Sequence, residues 1–350
     1  MITHMHIENF KCFKDFDIDL GPFNVLIGPN DSGKTAFLTA VRLLGTVTGG
    51  ACPPGRGRDW VWRGESGEIL ISATAEGTEG GIERKVGELR SRDGTNYGLR
   101  EMPHPDDAPH PSAKFPPFGA CVGPVGYYRL NPQALREPSL VVGKMDETGG
   151  GFPTFLADNL LADREAFRAM EKPFYARFPH YCGIVIKKRG VVVPLEPAQV
   201  GNVQIRHVEQ LRKDAFVIAF KTREGVLLPA EAVSDGVMLS LAYIALGHAP
   251  EPPRVMLIEE PENGIHHASL KETIGTLHAL ATDKGVQVIL TTHSPYLLDQ
   301  VEPEEVRAFS KDKEGAVHAR KLSDIDDVET MKKDFMTGEI WGILTEAQGI

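Results

Sequence analysis

The sequence is poor in cysteine, lacks long apolar runs and has no excess of positive charge. Its four cysteines, Cys12, Cys52, Cys121 and Cys182, are scattered through 350 residues without metal-site spacing. We therefore expect reduced thiols, no disulfide framework and a cytoplasmic location. No apolar run approaches the roughly 18 residues that cross a bilayer, so we expect no membrane partner. The N-terminus also lacks the apolar core of a signal peptide.

The charge balance argues against one class of partner. The chain has 38 basic and 48 acidic residues, which gives a formal net charge of -10. A protein that coats nucleic acid over a broad surface is therefore not expected, although a local basic groove stays open. Lys187 to Gly190 (Lys-Lys-Arg-Gly) is predicted to be a basic hairpin tip, either a solvated turn or a nucleic-acid contact.

A phosphate-binding loop is the clearest motif present. Gly28 to Thr35 matches G-x-x-x-x-G-K-T between an apolar strand and the start of a helix. The glycines let successive N–H groups turn around phosphate oxygens, and the helix N-terminus adds partial positive charge. The alternative is a glycine-rich turn with an ordinary surface lysine. The predicted nucleotide-binding residues are Gly28, Pro29, Asn30, Asp31, Ser32, Gly33, Lys34, Thr35 and Ala36.

Specific roles follow from the chemistry of this loop and of two later strands. Lys34 is expected to reach the β- and γ-phosphates of ATP, and the Thr35 hydroxyl to ligate Mg²⁺. Four apolar residues end in Glu259 and Glu260, a Walker B pattern. Glu259 is predicted to hold Mg²⁺ and Glu260 to activate water. The alternative is a strand that ends in a solvated acidic turn.

A polar cluster follows a second buried strand, at Thr292-His293-Ser294. His293 is predicted to lie beside the γ-phosphate, where it donates a hydrogen bond and helps to hold the water. As an alternative, it is a surface or capping histidine.

Another candidate anion site opens a later helix. Ser234, Asp235 and Gly236 form a polar helix start, which is either a plain N-cap or a second phosphate site. In the second interpretation, we expect these residues to meet the nucleotide of a second subunit. The turn from Asn263 to His266 is either part of that dimer interface or simply solvated.

The predicted fold class is α/β with a P-loop, and the family resemblance described below implies an ABC-type head. A mostly parallel core sheet carries the P-loop, Walker B and His293 strands. An antiparallel β-layer comes from residues 1–28 and 58–100. The segment from Cys121 to Leu130 is predicted to contain a buried strand, and the Gly- and Pro-rich segment from Gly45 to Gly57 is predicted to be a loop. We expect a single domain over residues 1–350, with an inserted helical lobe at about 131–182 and a tail at 323–350.

Taken together, these motifs resemble the ABC-type ATPases of the RecF, RecN and SMC kind. They are most similar to compact bacterial AAA-family ATPases, whose ATPase half also occurs in OLD-family nucleases. The motifs that carry the resemblance are Ile7 to Phe13, Gly28 to Thr35, Ser234-Asp235-Gly236, Ile258 to His266 and Thr292 to Pro295, with Tyr128-Arg129-Leu130, Phe178-Pro179 and Gly338 to Trp341 also typical of the compact group.

The chain departs from the wider group in several places. Glu259 replaces the usual Walker B aspartate, and the signature reads Val-Ser-Asp-Gly rather than Leu-Ser-Gly-Gly. We expect no coiled-coil arm and no nuclease domain after His293. Gln133 is the candidate for the glutamine that senses Mg²⁺.

The resemblance implies an ATPase that binds ATP and Mg²⁺ and dimerises head to tail, or forms a higher oligomer. It also implies a role in DNA transactions or anti-phage defence, with a separately encoded effector protein and with DNA as a further partner. Two alternatives stay open: an ATP-gated scaffold or sensor with little turnover, and a DNA-repair clamp.

Overall fold

The structure is a computed structural model. It describes residues 1–49, 61–62, 68–77, 83–91, 98–103, 118–140, 145–194, 199–200, 203–204, 210–250, 252–263, 265 and 267–348. Cys52 and positions 264 and 266 of the turn after Walker B lie outside these residues. Contacts divide the chain into two compact units, Met1–Arg129 with Pro252–Ile350 and Leu130–Glu251.

The first part of the chain alternates strands with two helices. Its elements are β1 (Ile2–Phe10), β2 (Phe13–Asp19), β3 (Phe23–Ile27), α1 (Lys34–Thr48), β4 (Ile69–Gly77), β5 (Glu83–Ser91), β6 (Gly98–Pro103), α2 (Phe118–Val122) and β7 (Val125–Tyr128).

The second unit contains the middle of the chain. Its elements are α3 (Pro132–Arg136), α4 (Phe152–Ala162), α5 (Arg164–Arg177), β8 (Tyr181–Pro194), β9 (Gln199–Val200), β10 (Val203–Gln204), β11 (Gln210–Thr222), β12 (Leu227–Pro229), a 3₁₀ turn (Ala230–Ala232) and α6 (Asp235–Gly247).

The last part of the chain returns to the first unit. Its elements are β13 (Val255–Glu259), α7 (His267–Lys284), β14 (Gln287–Thr291), α8 (Pro295–Leu298), β15 (Val306–Lys311), β16 (Val317–Lys321), α9 (Val328–Met331) and α10 (Thr337–Gln348), with 3₁₀ turns at Pro303–Glu305 and Leu322–Asp324. Among the described residues, no helix has the length and apolar character needed to cross a bilayer.

The core sheet of the first unit has the order β16-β15-β3-β14-β13-β7. Its strands pair in parallel except for the β15–β16 hairpin. Every residue of β3, β13 and β14 is buried, which is why these strands read as continuous apolar runs. The prediction of a mostly parallel core sheet is confirmed, and the carboxyl ends of these three strands lie at one edge.

An antiparallel sheet of order β2-β1-β4-β5-β6 completes the first unit and confirms the predicted β-layer. The rings of Phe16, Phe37 and Phe309 come from β2, α1 and β15. Their centroids lie between 5.6 and 6.1 Å apart. These buried rings join the antiparallel sheet, α1 and the core sheet in one hydrophobic core, which fixes the helix that follows the P-loop.

Two predicted boundaries in this unit are wrong. Helix α1 runs to Thr48 and so includes Gly45, which the sequence suggested as the start of a loop. A Cβ at Gly45 would lie 2.2 Å from a methyl carbon of Val125, so this glycine permits close packing of α1 on β7. The strand predicted within residues 121–130 is β7, but it begins only at Val125 and is half-buried. The short helix α2 precedes it and ends before Pro124, which disfavours helical backbone at the residue before it.

The second unit confirms the predicted helices. The buried Phe174 of α5 packs against Tyr181 and Phe220, with ring centroids 6.1 and 6.0 Å away. The lobe predicted at about 131–182 falls in this unit, which continues to Glu251. That lobe, the single domain and the tail stay predictions.

The predicted hairpin tip at Lys187 to Gly190 is wrong. These residues lie inside β8 and pair in register with β11, from Lys187 opposite Val217 to Gly190 opposite Asp214. The glycine suggested a turn, but the β-branched residues that follow it extend the strand to Pro194.

Candidate functional site

The P-loop connects β3 to α1 at the carboxyl edge of the core sheet. Gly28 has φ of 154°, and a Cβ there would lie 2.3 Å from the carbonyl oxygen of Phe309. Only glycine fits this position, because any side chain would meet the backbone of β15. Asp31, at the tip of the loop, has φ of 64°, and its carboxylate accepts a hydrogen bond of 2.6 Å from Lys311.

Lys34 is the first residue of α1 and is buried. Its Nζ donates to the carbonyl oxygens of Gly28 and Pro29, at 2.8 and 2.9 Å, and lies 3.4 Å from Oγ of Ser32. Burial lowers the pKa of Lys34 to about 8, while the charge of Glu260 acts in the opposite direction. The ammonium group is thus held among polar oxygens of the loop itself.

Glu259 is the last residue of β13 and is buried. Its Oε1 is shielded from solvent and has no hydrogen-bond partner among the described residues. An unpartnered buried carboxylate oxygen is costly unless a cation or a donor satisfies it. The carboxylate oxygen of Glu259 is a hard ligand of the kind that Mg²⁺ prefers. The hydroxyl group of Thr35, an exposed residue at the start of α1, is a second oxygen ligand of this kind.

Glu260 directly follows β13 and has the left-handed φ of 46°. Its N–H donates to the carbonyl oxygen of Thr291 at 3.0 Å, and its Oε2 accepts a hydrogen bond from the side-chain amide of Asn263. Positive φ is uncommon outside glycine and concentrates at functional sites. The backbone and Asn263 together hold the carboxylate at the strand end.

His293 follows β14, the strand between β3 and β13. Its Nε2 lies 3.6 Å from Oε1 of Glu260. Burial and the charge of Lys34 lower the pKa of His293, and Glu260 opposes them. The imidazole is therefore predominantly neutral at pH 7, so one ring nitrogen can donate and the other can accept.

Two family models match separate parts of the chain, each less than half of its length. One, described as "AAA domain, putative AbiEii toxin, Type IV TA system", matches residues 156–299, which include both glutamates and His293. The other, described as "AAA ATPase domain", matches residues 1–48, which include the P-loop.

Solved structures extend the likeness over the whole fold. The SMC head domain from Thermotoga maritima has a TM-score of 0.50 at 13% identity and covers 91% of this chain and 98% of its own. An SMC head bound to the C-terminal winged-helix domain of ScpA has a TM-score of 0.58 at 13% identity, over 95% and 99% of the two chains. The SMC-head fold and the two family models support the predicted ABC/SMC-like AAA ATPase.

The ATPase matches curated relatives only over short segments. It is 41% identical to the OLD nuclease of Thermus scotoductus over 44 residues, which is 13% of this chain and 8% of that relative. It is 51% identical to the DNA replication and repair protein RecF of Vibrio campbellii over 45 residues, 13% of each chain. The predicted resemblance and the predicted ATP-hydrolysing P-loop enzyme are confirmed, while the relatives' whole-protein activities are not carried over.

Glu262 is a further candidate site residue, to which the sequence motifs assign no role. Its Oε1 accepts hydrogen bonds from Oγ1 of Thr292 at 2.5 Å and from the N–H of His293 at 3.1 Å. Burial raises the pKa of Glu262, although these hydrogen bonds oppose the rise. Glu262 therefore ties the end of β14 to the turn after β13. The only sequence signal is its place two residues after Glu260.

The signature residues lie in the second unit, at the start of α6. Ser234 occupies the N-cap position and is exposed, but its side chain makes no capping hydrogen bond. Gly236 is buried and offers only its backbone. The plain N-cap interpretation therefore lacks the contact on which it depends.

Asp235 is already engaged within the second unit. Its carboxylate lies 2.6 Å from the guanidinium of Arg136, which also donates to the carbonyl oxygens of Ala230 and Val233. This pair fixes the turn that presents Ser234.

Gln133, on α3, is exposed, and its N–H donates to Oδ1 of Asn131 at 2.8 Å.

Proposed function

We propose that the ATPase hydrolyses ATP to ADP and phosphate in a Mg²⁺-dependent reaction, as a head-to-tail dimer. The observation that carries this proposal is the position of Lys34, Glu260 and His293. They follow three neighbouring strands, β3, β13 and β14, at one edge of the core sheet. Ligands of such sheets bind outside the carboxyl ends of the strands.

The residues have complementary roles. The P-loop amides and Lys34 hold the phosphates, and Lys34 exchanges its contacts with Gly28 and Pro29 for phosphate oxygens. Glu260 accepts a proton from water as the water oxygen bonds to the γ-phosphorus and the bond to the ADP oxygen breaks. His293 donates a hydrogen bond to the γ-phosphate.

Magnesium is included because the donor set suits it. Thr35 and Glu259 would hold the ion, and the buried Oε1 of Glu259 is the oxygen that most needs a partner. When bound, Mg²⁺ supplies charge neutralisation on the phosphates.

The dimer part of the proposal rests on the signature turn. Ser234 presents an exposed hydroxyl that makes no capping hydrogen bond, beside the first N–H groups of α6. Gly236 adds no side chain there, although it is buried. Asp235 positions this turn through Arg136 instead of contacting ATP. ATP bound between two copies favours the closed dimer by its differential affinity, and hydrolysis releases it.

The wider role is anti-phage defence or a DNA transaction in the cytoplasm, with a separately encoded effector. Three descriptions support this part. One matching family model is named for a putative toxin, one relative is a DNA replication and repair protein, and one similar SMC head is bound to a partner protein.

The central test is Glu260→Gln. We expect turnover to fall by about 10²- to 10⁴-fold while ATP binding persists, because the amide keeps the shape but cannot accept the proton. Glu329→Gln, an exposed residue of α9, is the matched control and should keep wild-type turnover. Unchanged turnover in Glu260→Gln would contradict the proposal. Lost turnover with full ATP-dependent assembly and biological function would favour the scaffold or sensor.

A further inference from the structure

The two-stranded ribbon of β8 and β11 has two chemically different faces. The strands pair without a register shift from Gly183 opposite Lys221 to Val191 opposite Lys213. Side chains of directly opposed residues share a face, and the face alternates along each strand. Lys187, Arg189, Lys213 and Lys221 therefore lie on the same side, and we call these four residues the basic ribbon face.

Within the part of the chain that the structure describes, the basic ribbon face has no counterions. All four side chains are exposed, and none makes an ion pair with another described residue. Along residues 183–191 and 213–221, the other residues on this face are glycine, valine and alanine. The chain as a whole has a formal net charge of -10, so its composition does not explain a face on which every charged side chain is positive.

The opposite face of the same stretch is different. It carries large apolar side chains that pack in the unit, such as Ile218 and Phe220, together with the acidic Asp214. On the basic ribbon face, the buried side chains are the small Ala215 and Ala219. Its one lysine, Lys188, lies over the ring of Phe216, with Nζ 5.5 Å from the centroid. Positive charge is thus concentrated on one side of the ribbon.

The spacing of the basic side chains suits the regularly spaced phosphates of a polyanion. Alternate residues of a strand are about 6.7 Å apart, so Lys187 and Arg189 are spaced by that distance along β8. The span from the pair at Lys221 to the pair at Lys213 is eight residues of β8, or about 27 Å. A duplex rises about 3.4 Å per base pair, so this length covers roughly eight base-pair steps of phosphates.

We propose that the basic ribbon face docks on the phosphate backbone of duplex nucleic acid. A two-stranded ribbon has the width that the major groove of DNA admits. The described residues of this face include no aromatic side chain on which unpaired bases could stack, which favours a duplex over a single strand. Lysine and arginine contacts to phosphate carry no base readout, so binding is independent of sequence. The inference rests on the DNA-related part of the proposed function and names the surface that would serve it.

The test is binding of the full chain to a labelled duplex of about 20 base pairs, measured by anisotropy over a range of NaCl concentrations without nucleotide. Four phosphate contacts predict a slope of about -3.6 for log K against log salt. The variant Lys187→Glu with Arg189→Glu should reduce the magnitude of that slope to about 1.8 and weaken binding at low salt.

The matched control is Lys188→Glu, on the same strand but the opposite face. It changes the net charge in the same direction and should keep a slope of about -3.6. If Lys188→Glu reduces the magnitude of the slope by as much, for each charge changed, as the double variant does, the basic ribbon face is not the docking surface. Tighter binding to a single strand of the same sequence, or more effective competition by polyglutamate than by unlabelled duplex, would also overturn the proposal.

Folding and function are separated by two further measurements. Thermal unfolding and ATP turnover of the double variant should equal those of the wild type. If the double variant unfolds, Lys213→Gln with Lys221→Gln provides the same comparison from β11. A wild-type chain that turns over ATP but does not bind duplex defeats this inference alone. Duplex binding without any effect of Glu260→Gln on turnover defeats only the proposed reaction.

Discussion

The edge of the core sheet and the signature turn present polar groups in opposite ways. At the sheet edge, Glu260 and His293 are held by contacts within their own unit, to Thr291, Asn263 and Glu262. At the signature turn, the Ser234 side chain makes no capping hydrogen bond. In the proposed function, the first region is therefore prearranged for the reaction, and the second is a contact surface that another copy of the chain completes.

Among the variants that test this comparison, Ser234→Arg is expected to lower ATP turnover the most. In the proposed dimer, a long cation at the exposed start of α6 would obstruct the approach of a second subunit's nucleotide, while every residue of the P-loop stays unchanged. We expect turnover to fall by about 10²-fold or more, as when an electrostatic contact to the transition state is removed, with ATP binding largely intact. ATPase assays and equilibrium nucleotide binding measure the two quantities separately.

An exposed hydroxyl-bearing residue elsewhere is the control for that substitution. Thr330→Arg places the same cation on α9 and should leave turnover unchanged. Equal turnover in Ser234→Arg and the wild type would remove the contrast between the two regions, because the signature turn would then have no part in the reaction.

A smaller effect is expected from Glu262→Ala, which tests how the sheet edge is held. Losing the acceptor of Thr292 and His293 lets the histidine shift. A misplacement of about 1 Å can cost roughly 10²-fold in rate, so we expect a shift of a fraction of that distance to lower kcat by about tenfold. KM should change little because Glu262 does not face the phosphates in this proposal. Glu262→Gln keeps an oxygen in the position of Oε1 and should restore most of the lost kcat.

That rescue distinguishes a positioning residue from a catalytic one. If Glu262→Gln is as inactive as Glu262→Ala, the carboxylate acts chemically, and the division of roles between Glu260 and Glu262 is wrong.

The smallest effect is a dependence of ATP affinity on pH. The pKa of Lys34 is lowered to about 8, so the free protein loses this positive charge as pH rises through that value. Bound phosphates favour the charged form, so ATP affinity should weaken by roughly tenfold between pH 7 and pH 9. Isothermal titration with ATP measures the change. The Lys34→Met variant should bind ATP weakly at every pH in this range. If its ATP affinity still falls with pH as steeply as that of the wild type, another group causes the pH dependence.

The sequence predicted some features more easily than others, for physical reasons. The buried strands β3, β13 and β14 are visible as apolar runs because both faces of a parallel sheet are covered. The P-loop residues and Glu260 could be proposed as site residues because phosphate chemistry demands fixed residue types at short spacing. Their roles stay predictions until the variants are measured.

Other features depend on contacts that are remote in sequence. The bond from Lys311 to Asp31 joins residues 280 positions apart, and no local pattern signals it. Lys187 to Gly190 was assigned to a turn because glycine is ambiguous until the partner strand β11 is known. The role of Glu262 likewise becomes visible only when β14 lies beside β13.

The most direct measurement mixes two inactive variants, Glu260→Gln and Ser234→Arg. In a head-to-tail dimer, a mixed pair has one site with intact Glu260 from one copy and intact Ser234 from the other. With random pairing and independent sites, the mixture should recover about a quarter of wild-type turnover. A mixture that turns over ATP no faster than the average of its two components would contradict the account of a site completed by a second copy.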